Sequence, residues 1–300
     1  MSKTLVLGSC VCDMVVKVSH LPHAQEDINS KEVSMSLGGM AYNVYNINQL
    51  LNNDSIFGCP IGTGQFATMV KTMLSDKGYQ PIAEISDEDN GVCICLVDDT
   101  KDRTFICQHG AEYLFNEEWY KNIDMADVSY IYVSGLEVED RNGNELVSFL
   151  EKVNKPIFFA PGPRIKHIDK SLMTRMFKLN CLLHINEEEA LSFTNSTNVE
   201  QAALKLYEKT NNVVVITLGA KGCLVYNQKT SYLEGYPSVV IDTIGAGDCH
   251  AGAILACLNH DVDIVEAARF ANMVSSKVVS QKGADLTYEN ISDIMGKRPW

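Results

Sequence analysis

The chain has 300 residues, 46% of them hydrophobic and 21% charged, with a formal net charge of −13. This is the balance of an ordinary globular protein, long enough for one large α/β domain or two small ones. The acidic charge argues against nucleic acid as a main partner, because DNA and RNA are held by basic surfaces, but it leaves room for a small anion held by local N–H groups.

No apolar run approaches the roughly 18 residues of a transmembrane helix, and no membrane partner is expected. The first residues read directly as a strand, with no signal peptide before them, so a cytoplasmic protein is expected. Residues 4–7 form a short apolar strand ending at Gly8, and 11–18 a second with Asp13 near its start. The polar stretch 20–29 with Pro22 reads as a turn, 31–36 alternates as a strand, and Gly38-Gly39 opens a helix to about Leu51. A strand at 56–59 and a helix at 65–77, ended by Gly78, follow. Strands 92–97 and 103–107 flank the turn 98–102 and predict a hairpin. A short helix is expected at 117–122. Strands at 128–133, 156–160, 181–185 and 213–217 are separated by helices such as 141–153, 187–194 and 199–210. A later hairpin, 223–227 with 230–233, precedes two long helical segments, 247–259 and 264–280.

Buried β-branched strands alternating with helices predict a parallel sheet covered on both faces. Segments 11–36 and 91–107 break that rhythm, being β-rich and set between βα units. They predict either a small projecting sheet able to act as a lid, or extra edge strands on the main sheet. No repeat or linker divides the chain, so a single domain over 1–300 with these two inserted segments is expected. The ten cysteines are scattered, and the one-residue spacings Cys10/Cys12 and Cys93/Cys95 fit strand packing rather than a zinc knuckle. Free thiols in a reducing compartment are expected. The seven histidines show no metal-ligand spacing.

Polar residues collect where strands end. Asp13 lies just past the first strand, at the edge where open α/β sheets bind ligands; it can accept from hydroxyls or serve as a turn residue. Gly38-Gly39-Met-Ala-Tyr-Asn43 is either a ligand-approaching glycine pair with an amide one turn on, or a plain glycine-rich helix start. Asn186-Glu-Glu-Glu189 can orient water around Mg²⁺ or can be an N-cap with first-turn acids. Thr217-Leu-Gly219-Ala-Lys-Gly222 can pass backbone over a nucleotide or merely turn into the hairpin, and Asn272 can face a purine or be a satisfied core amide. The richest run is Asp242-Thr-Ile-Gly-Ala-Gly-Asp248, ahead of an apolar helix. Small Gly245, Ala246 and Gly247 at a helix N-terminus can make an anion site with Asp248 beside it as a general base, or can be an ordinary loop-to-helix turn with Asp248 as a first-turn acid.

Taken in order, these residues resemble the ribokinase-like family of sugar and nucleoside kinases, the PfkB carbohydrate kinases. Asp242-Thr-Ile-Gly-Ala-Gly-Asp248 is similar to the family's C-terminal signature, Gly38-Gly39…Asn43 to its N-terminal one, and Asn186…Glu189 to its NxxE element. The resemblance implies an α/β fold, a three-layer sandwich with a mostly parallel central sheet and a small β lid. It implies transfer of the γ-phosphoryl group of ATP to a primary alcohol. Asp248 is then the catalytic base and the N–H groups of Gly245, Ala246 and Gly247 the anion hole. Asp13, Gly39, Asn43 and Glu137 would hold the substrate. Asn186, Thr217, Gly219, Gly222 and Asn272 would border the nucleotide, with Glu189 acting on Mg²⁺ through water. A monovalent cation, K⁺, would sit among Asp242, the carbonyls of Ile244, Val278, Gln281 and Gly283, and Thr287. Two departures, Ala41 for a usual Gly and Ala160 for a usual Asp or Asn, bear on substrate rather than chemistry.

The acceptor implied is the hydroxymethyl group of a small sugar. The alternative is a nucleoside of the pseudouridine, adenosine or inosine type, for which Tyr42 or Phe105 can wall a base. A carboxylated sugar would need Arg103 or Arg164 in the pocket. A non-catalytic binding protein on the same fold is the reading from another class, and a dinucleotide oxidoreductase is disfavoured because no GxGxxG follows the first strand. A homodimer formed through the lid is a further expectation.

Overall fold

β-branched apolar runs fold as strands and apolar residues three or four apart fold as helices, in the order the sequence predicts. The computed structural model describes residues 2–85, 87–100, 102–139 and 141–300. The chain begins with β1 (Lys3–Leu7), β2 (Val11–Lys17), β3 (Glu32–Gly38), α1 (Met40–Leu50), β4 (Ser55–Gly58), β5 (Pro60–Ile61), α2 (Gln65–Asp76) and β6 (Ala83–Glu84). β7 (Val92–Val97), β8 (Arg103–Gln108), β9 (Val128–Ser134), α3 (Gly135–Glu139), α4 (Gly143–Val153), β10 (Ile157–Ala160) and α5 (Lys170–Lys178) follow. The remainder is β11 (Leu182–Asn186), α6 (Glu187–Thr194), α7 (Val199–Thr210), β12 (Val214–Thr217), β13 (Cys223–Tyr226), β14 (Thr230–Leu233), α8 (Ala246–Asn259), α9 (Ile264–Val278) and α10 (Tyr288–Met295).

Eight strands make the central sheet in the order β14-β13-β12-β11-β10-β9-β1-β4. The run β12 to β4 is parallel, and only β13 and β14 are antiparallel. Each strand feeds both faces. Val6, Tyr132 and Phe158 join a core with α1, α8 and α9, while Leu5, Ile131, Val133 and Phe159 join one with α4, α5 and α7. The result is three layers, helices on a sheet on helices, with the parallel strands ending along one edge. Three helices end on Asn154, Asn195 and Asn211 at φ 48°, 47° and 50°, a left-handed stop that asparagine tolerates.

A separate sheet of order β3-β2-β7-β8 stands apart from the main one. It is built from the two β-rich segments, whose strands run on to Gly38 and Gln108. They are not extra edge strands of the main sheet. Lys101, in the expected turn 98–102, lies outside the described residues. Ser36, Asp13, Cys93 and Cys107 oppose one another in a single row, so they share a face. The other face packs Met14 and Ile94 against the core beside α2, leaving Met35 and Ile106 exposed.

Some elements carry weak sequence signals. The expected helix at 117–122 is a 3₁₀ turn, Glu117–Tyr120, capped by Asn116. The helices α3, α5 and α10 and the short pair β5–β6 are additional. α5 buries only Met173, Met176 and Phe177 and α10 only Ile291, Ile294 and Met295, so neither carries a long apolar stripe. The cysteines are free, and all are buried except half-buried Cys93 and exposed Cys107. Among the described residues no helix is long and apolar enough to cross a membrane.

Candidate active site

Where β1 ends, the backbone of Ser9 meets a buried acid. Glu137, at the start of the helix after β9, accepts from the Ser9 N–H at 3.0 Å and the Ser134 N–H at 3.2 Å, and also bonds the Ser134 hydroxyl. Burial raises its pKa. It was expected to contact substrate, but its carboxylate is held by the protein and ties the ends of two strands together. Asp13 leans across Gly38 so closely that a Cβ there would stand 2.0 Å from its Oδ2. Gly39 is the N-cap of α1, which carries Asn43 one turn in.

Asn43 and Asp248 bring the two signatures together. Asn43 Nδ2 donates to Asp248 Oδ2 at 2.8 Å, while Asn43 Oδ1 is buried with no partner among the described residues. Asp248 is the third residue of α8, and Gly245 is the N-cap at φ 70°. That left-handed geometry favours glycine, and a Cβ would lie 2.3 Å from the Ala284 Cβ. Helix geometry leaves the first amides without intrahelical acceptors; the Ala246 N–H bends back to the Thr243 carbonyl at 3.3 Å. Space over Gly247 is open, with no atom within 4 Å of a built Cβ. Burial, opposed by the Asn43 hydrogen bond and reinforced by the charges of Glu137 and Glu189, pushes Asp248 up to about 6. Burial and the charge of Asp248 push Asp13 to about 6 as well.

On the other side of the α8 N-terminus lies a cavity of about 480 Å³. Thr217, Gly219, Gly222 and Asn272, expected from different parts of the chain, all line it, together with Ala246 and Gly247. The Asn272 amide itself is engaged. Its Nδ2 donates to the carbonyls of Leu233 at 3.2 Å and Glu234 at 3.1 Å, so its Oδ1 accepts from His250 Nε2 at 3.0 Å. Asn272 therefore shapes the wall rather than reading a base, the core-amide reading left open by the sequence. His250 Nδ1 then accepts from His184 Nε2 at 2.9 Å, and burial keeps both rings neutral, His250 lowered to about 4. His250 escaped the sequence reading although it stands one turn after Ala246 on the same helix face. The loop residues Tyr236, Pro237, Ser238 and Val240, which also line the cavity, had no periodic signal.

Asn186 and Glu189 form a reciprocal capping box at α6. The Glu189 N–H donates to Asn186 Oδ1 at 2.8 Å and the Asn186 N–H to Glu189 Oε2 at 3.1 Å. Glu189 is close enough for its charge to act on Asp248. No group of three or more His, Cys, Asp or Glu is placed to hold a metal ion among the described residues.

Tyr42, expected as a pocket wall, is fully buried, and its hydroxyl donates to Asp285 Oδ1 at 2.6 Å. Phe105 remains 51% exposed, on the Asp13 side of the small sheet by strand register. Arg103 is paired with Asp242, and Arg164 with Glu139, so neither presents a cation to a sugar carboxylate.

Three comparisons bear on this site. A sugar kinase of Escherichia coli K12, described as the uncharacterized sugar kinase YegV, is 30% identical over 287 residues, covering 94% of this chain and 89% of that protein. The ribokinase of Giardia lamblia superposes with a TM-score of 0.84 at 20% identity, covering 98% of this chain and 99% of that one. A nucleoside kinase of Burkholderia thailandensis, solved in complex with inosine, superposes at 0.77 with 18% identity, covering 99% and 98%. Residues 1–291 match the pfkB family carbohydrate kinases, and the chain belongs to that family.

Proposed function

We propose that this phosphotransferase moves the γ-phosphoryl group of ATP to the hydroxymethyl group of a small sugar, with Asp248 as general base. The observation that carries the reading is the Asn43–Asp248 pair at the N-terminus of α8: a partly buried carboxylate, an amide oxygen with no partner among the described residues, and the first turn of the helix converge on one place. A carboxylate beside an anion site has a purpose only if it removes a proton there. Asp248, raised to about 6, is still ionised at neutral pH yet basic enough to take the hydroxyl proton as the alcohol attacks.

ATP would occupy the cavity bordered by Thr217, Gly219 and Gly222, its phosphates directed to the amides of Gly245, Ala246 and Gly247. Those amides and the α8 dipole stabilise the charge on the transferring group, and the remaining rate gain is positioning. Asn43 Oδ1 and Asp13 would hold acceptor hydroxyls, and Gly39 would allow the sugar near the α1 backbone. Mg²⁺ would sit beside Glu189, whose carboxylate can order its water shell, and when bound it would neutralise phosphate charge. The Asn186 N–H holds Glu189 Oε2 as its cap partner. The small sheet would cover the acceptor and exclude water, which otherwise competes as nucleophile.

A nucleoside acceptor is the second reading. Phe105, exposed on the Asp13 face of the small sheet, offers a ring for a base to stack on. The exposed Met35 and Ile106 on its other face fit a homodimer formed there, for which sedimentation of the protein is the test.

The deciding experiment is ATP consumption with Mg²⁺ against sugars and nucleosides, with the phosphorylated product identified. One strongly preferred sugar phosphorylated at a hydroxymethyl group supports the first reading. A preferred nucleoside, lost selectively in Phe105→Ala, moves the assignment to the second. ATP binding without turnover on any acceptor overturns both.

A further inference from the structure

One lid side chain reaches the loop that leads into the anion hole. Arg103, at the start of β8, places its Nη1 2.6 Å from Asp242 Oδ1, and the Asp242 side chain is only 5% exposed. The same oxygen accepts from the Ile244 N–H at 2.8 Å, and Oδ2 accepts from the Gly283 N–H at 2.9 Å. Both oxygens of Asp242 are thus occupied by protein donors. The row of the small sheet that carries Arg103 also carries Val97, Lys17 and Glu32. From that row Glu32 pairs with Lys282 at 3.2 Å, on the loop between α9 and α10. Two ion pairs therefore run from one lid row to the two loops that flank the start of α8.

Three of the oxygens implied for a monovalent cation are already engaged in this arrangement. The Asp242 carboxylate already faces a guanidinium. The Thr287 hydroxyl donates to Asn290 Oδ1 at 2.8 Å as part of the α10 cap. The Val278 carbonyl accepts the Gln281 N–H at 3.3 Å.

We propose that Arg103 is the fixed counter-charge of the anion-hole loop and takes the place of a free monovalent cation. It rests on the kinase reading above. Arg103 touches neither acceptor nor phosphate; it is a positioning residue that acts through Asp242 on residues 244–247. A guanidinium keeps its charge at every physiological pH, so the counter-charge does not vary with solution conditions. It does vary with the lid. A buried carboxylate stripped of its partner is costly, so lid opening loosens the loop and closure over an acceptor orders it. A diffusible ion would order the same loop whether or not the lid had closed.

The test compares wild type, Arg103→Ala and Arg103→Lys in KCl, NaCl and tetramethylammonium chloride at constant ionic strength. Phosphoryl transfer and thermal melting are both followed. Wild-type turnover is expected to hold within about twofold across the salts. In tetramethylammonium, Arg103→Ala is expected to lose at least about tenfold in kcat with little change in acceptor KM, because a displaced anion hole slows the step after binding. K⁺ should restore part of that loss and raise the melting temperature of Arg103→Ala but not of wild type. Arg103→Lys, which keeps the charge, should fall between the two. Wild-type turnover that collapses without K⁺, or Arg103→Ala that matches wild type in tetramethylammonium, overturns the proposal. If wild type transfers phosphate to no acceptor, the kinase reading falls and the melting arm decides alone. A K⁺-specific rise confined to Arg103→Ala then supports the counter-charge, and its absence overturns it.

Discussion

The sides proposed for acceptor and for nucleotide meet at the N-terminus of α8 but are built on opposite terms. On the acceptor side polar capacity is left open. Asn43 Oδ1 is buried with no protein partner, and Asp13 and Asp248 are two carboxylates whose pKa values are both raised to about 6. On the nucleotide side the polar groups are closed on one another. Asn272, as buried as Asn43, has both ends of its amide bonded, and the His250–His184 pair continues that chain into the core. Unsatisfied groups recognise hydroxyls and move protons, whereas a satisfied wall recognises by shape. On the proposed reading the difference assigns chemistry and specificity to the acceptor side, and holding of the nucleotide to the other.

The sharpest break of that contrast is Asp248→Asn. Turnover should fall about a thousandfold or more while ATP binding, followed by calorimetry, stays near wild type. Near-normal turnover in the variant would remove Asp248 as the base. Next come the two glycines on the boundary. Gly245→Ala forces a side chain into left-handed backbone and against Ala284, so kcat should drop about a hundredfold together with a lower melting temperature. Gly247→Ala meets no protein atom, so it should melt normally and raise only the KM for ATP. Equal effects from the two would erase the distinction between a structural and a ligand-facing glycine.

Asn43→Ala should lower kcat/KM for the acceptor by about tenfold to a hundredfold, with the KM for ATP unchanged. pH dependence sharpens the same side. The base must be ionised, so activity should fall as pH drops through about 6, and more steeply than for one proton if Asp13 must also be charged. Stability runs the other way. Unfolded carboxyls titrate near about 3.9, so between roughly pH 6 and 4 the folded state holds more protons at this pair, and its contribution to stability grows as pH falls through that window. Comparing melting curves of wild type and Asp13→Asn/Asp248→Asn at pH 7 and 5 checks the sign: the double variant should gain less stability on acidification. The smallest catalytic effect is expected for Asn272→Ala. It unties His250 and the carbonyls of Leu233 and Glu234, costing about 1–3 kcal/mol in denaturant unfolding with kcat nearly unchanged.

Much of this was legible along the chain because it depends on near neighbours. Strand and helix periodicity placed the central layers, and the break in rhythm at the two β-rich segments pointed to the second sheet. The run from Asp242 to Asp248 needs only its own small residues and the helix after it to set a glycine N-cap and a first-turn acid at the start of α8. Asn186 and Glu189 were ambiguous for the same local reason, since a cap and a metal-bridging pair use one spacing, and the reciprocal cap is what forms. Other roles depend on partners far away in sequence. Glu137 turns to Ser9, Tyr42 to Asp285, Asn272 to His250 and Arg103 to Asp242, over separations of 128, 243, 22 and 139 residues. No local pattern specifies those pairings. A buried donor or charge takes the acceptor that packing brings within about 3 Å, and leaving it unpaired is costly enough to override what its residue type suggests alone.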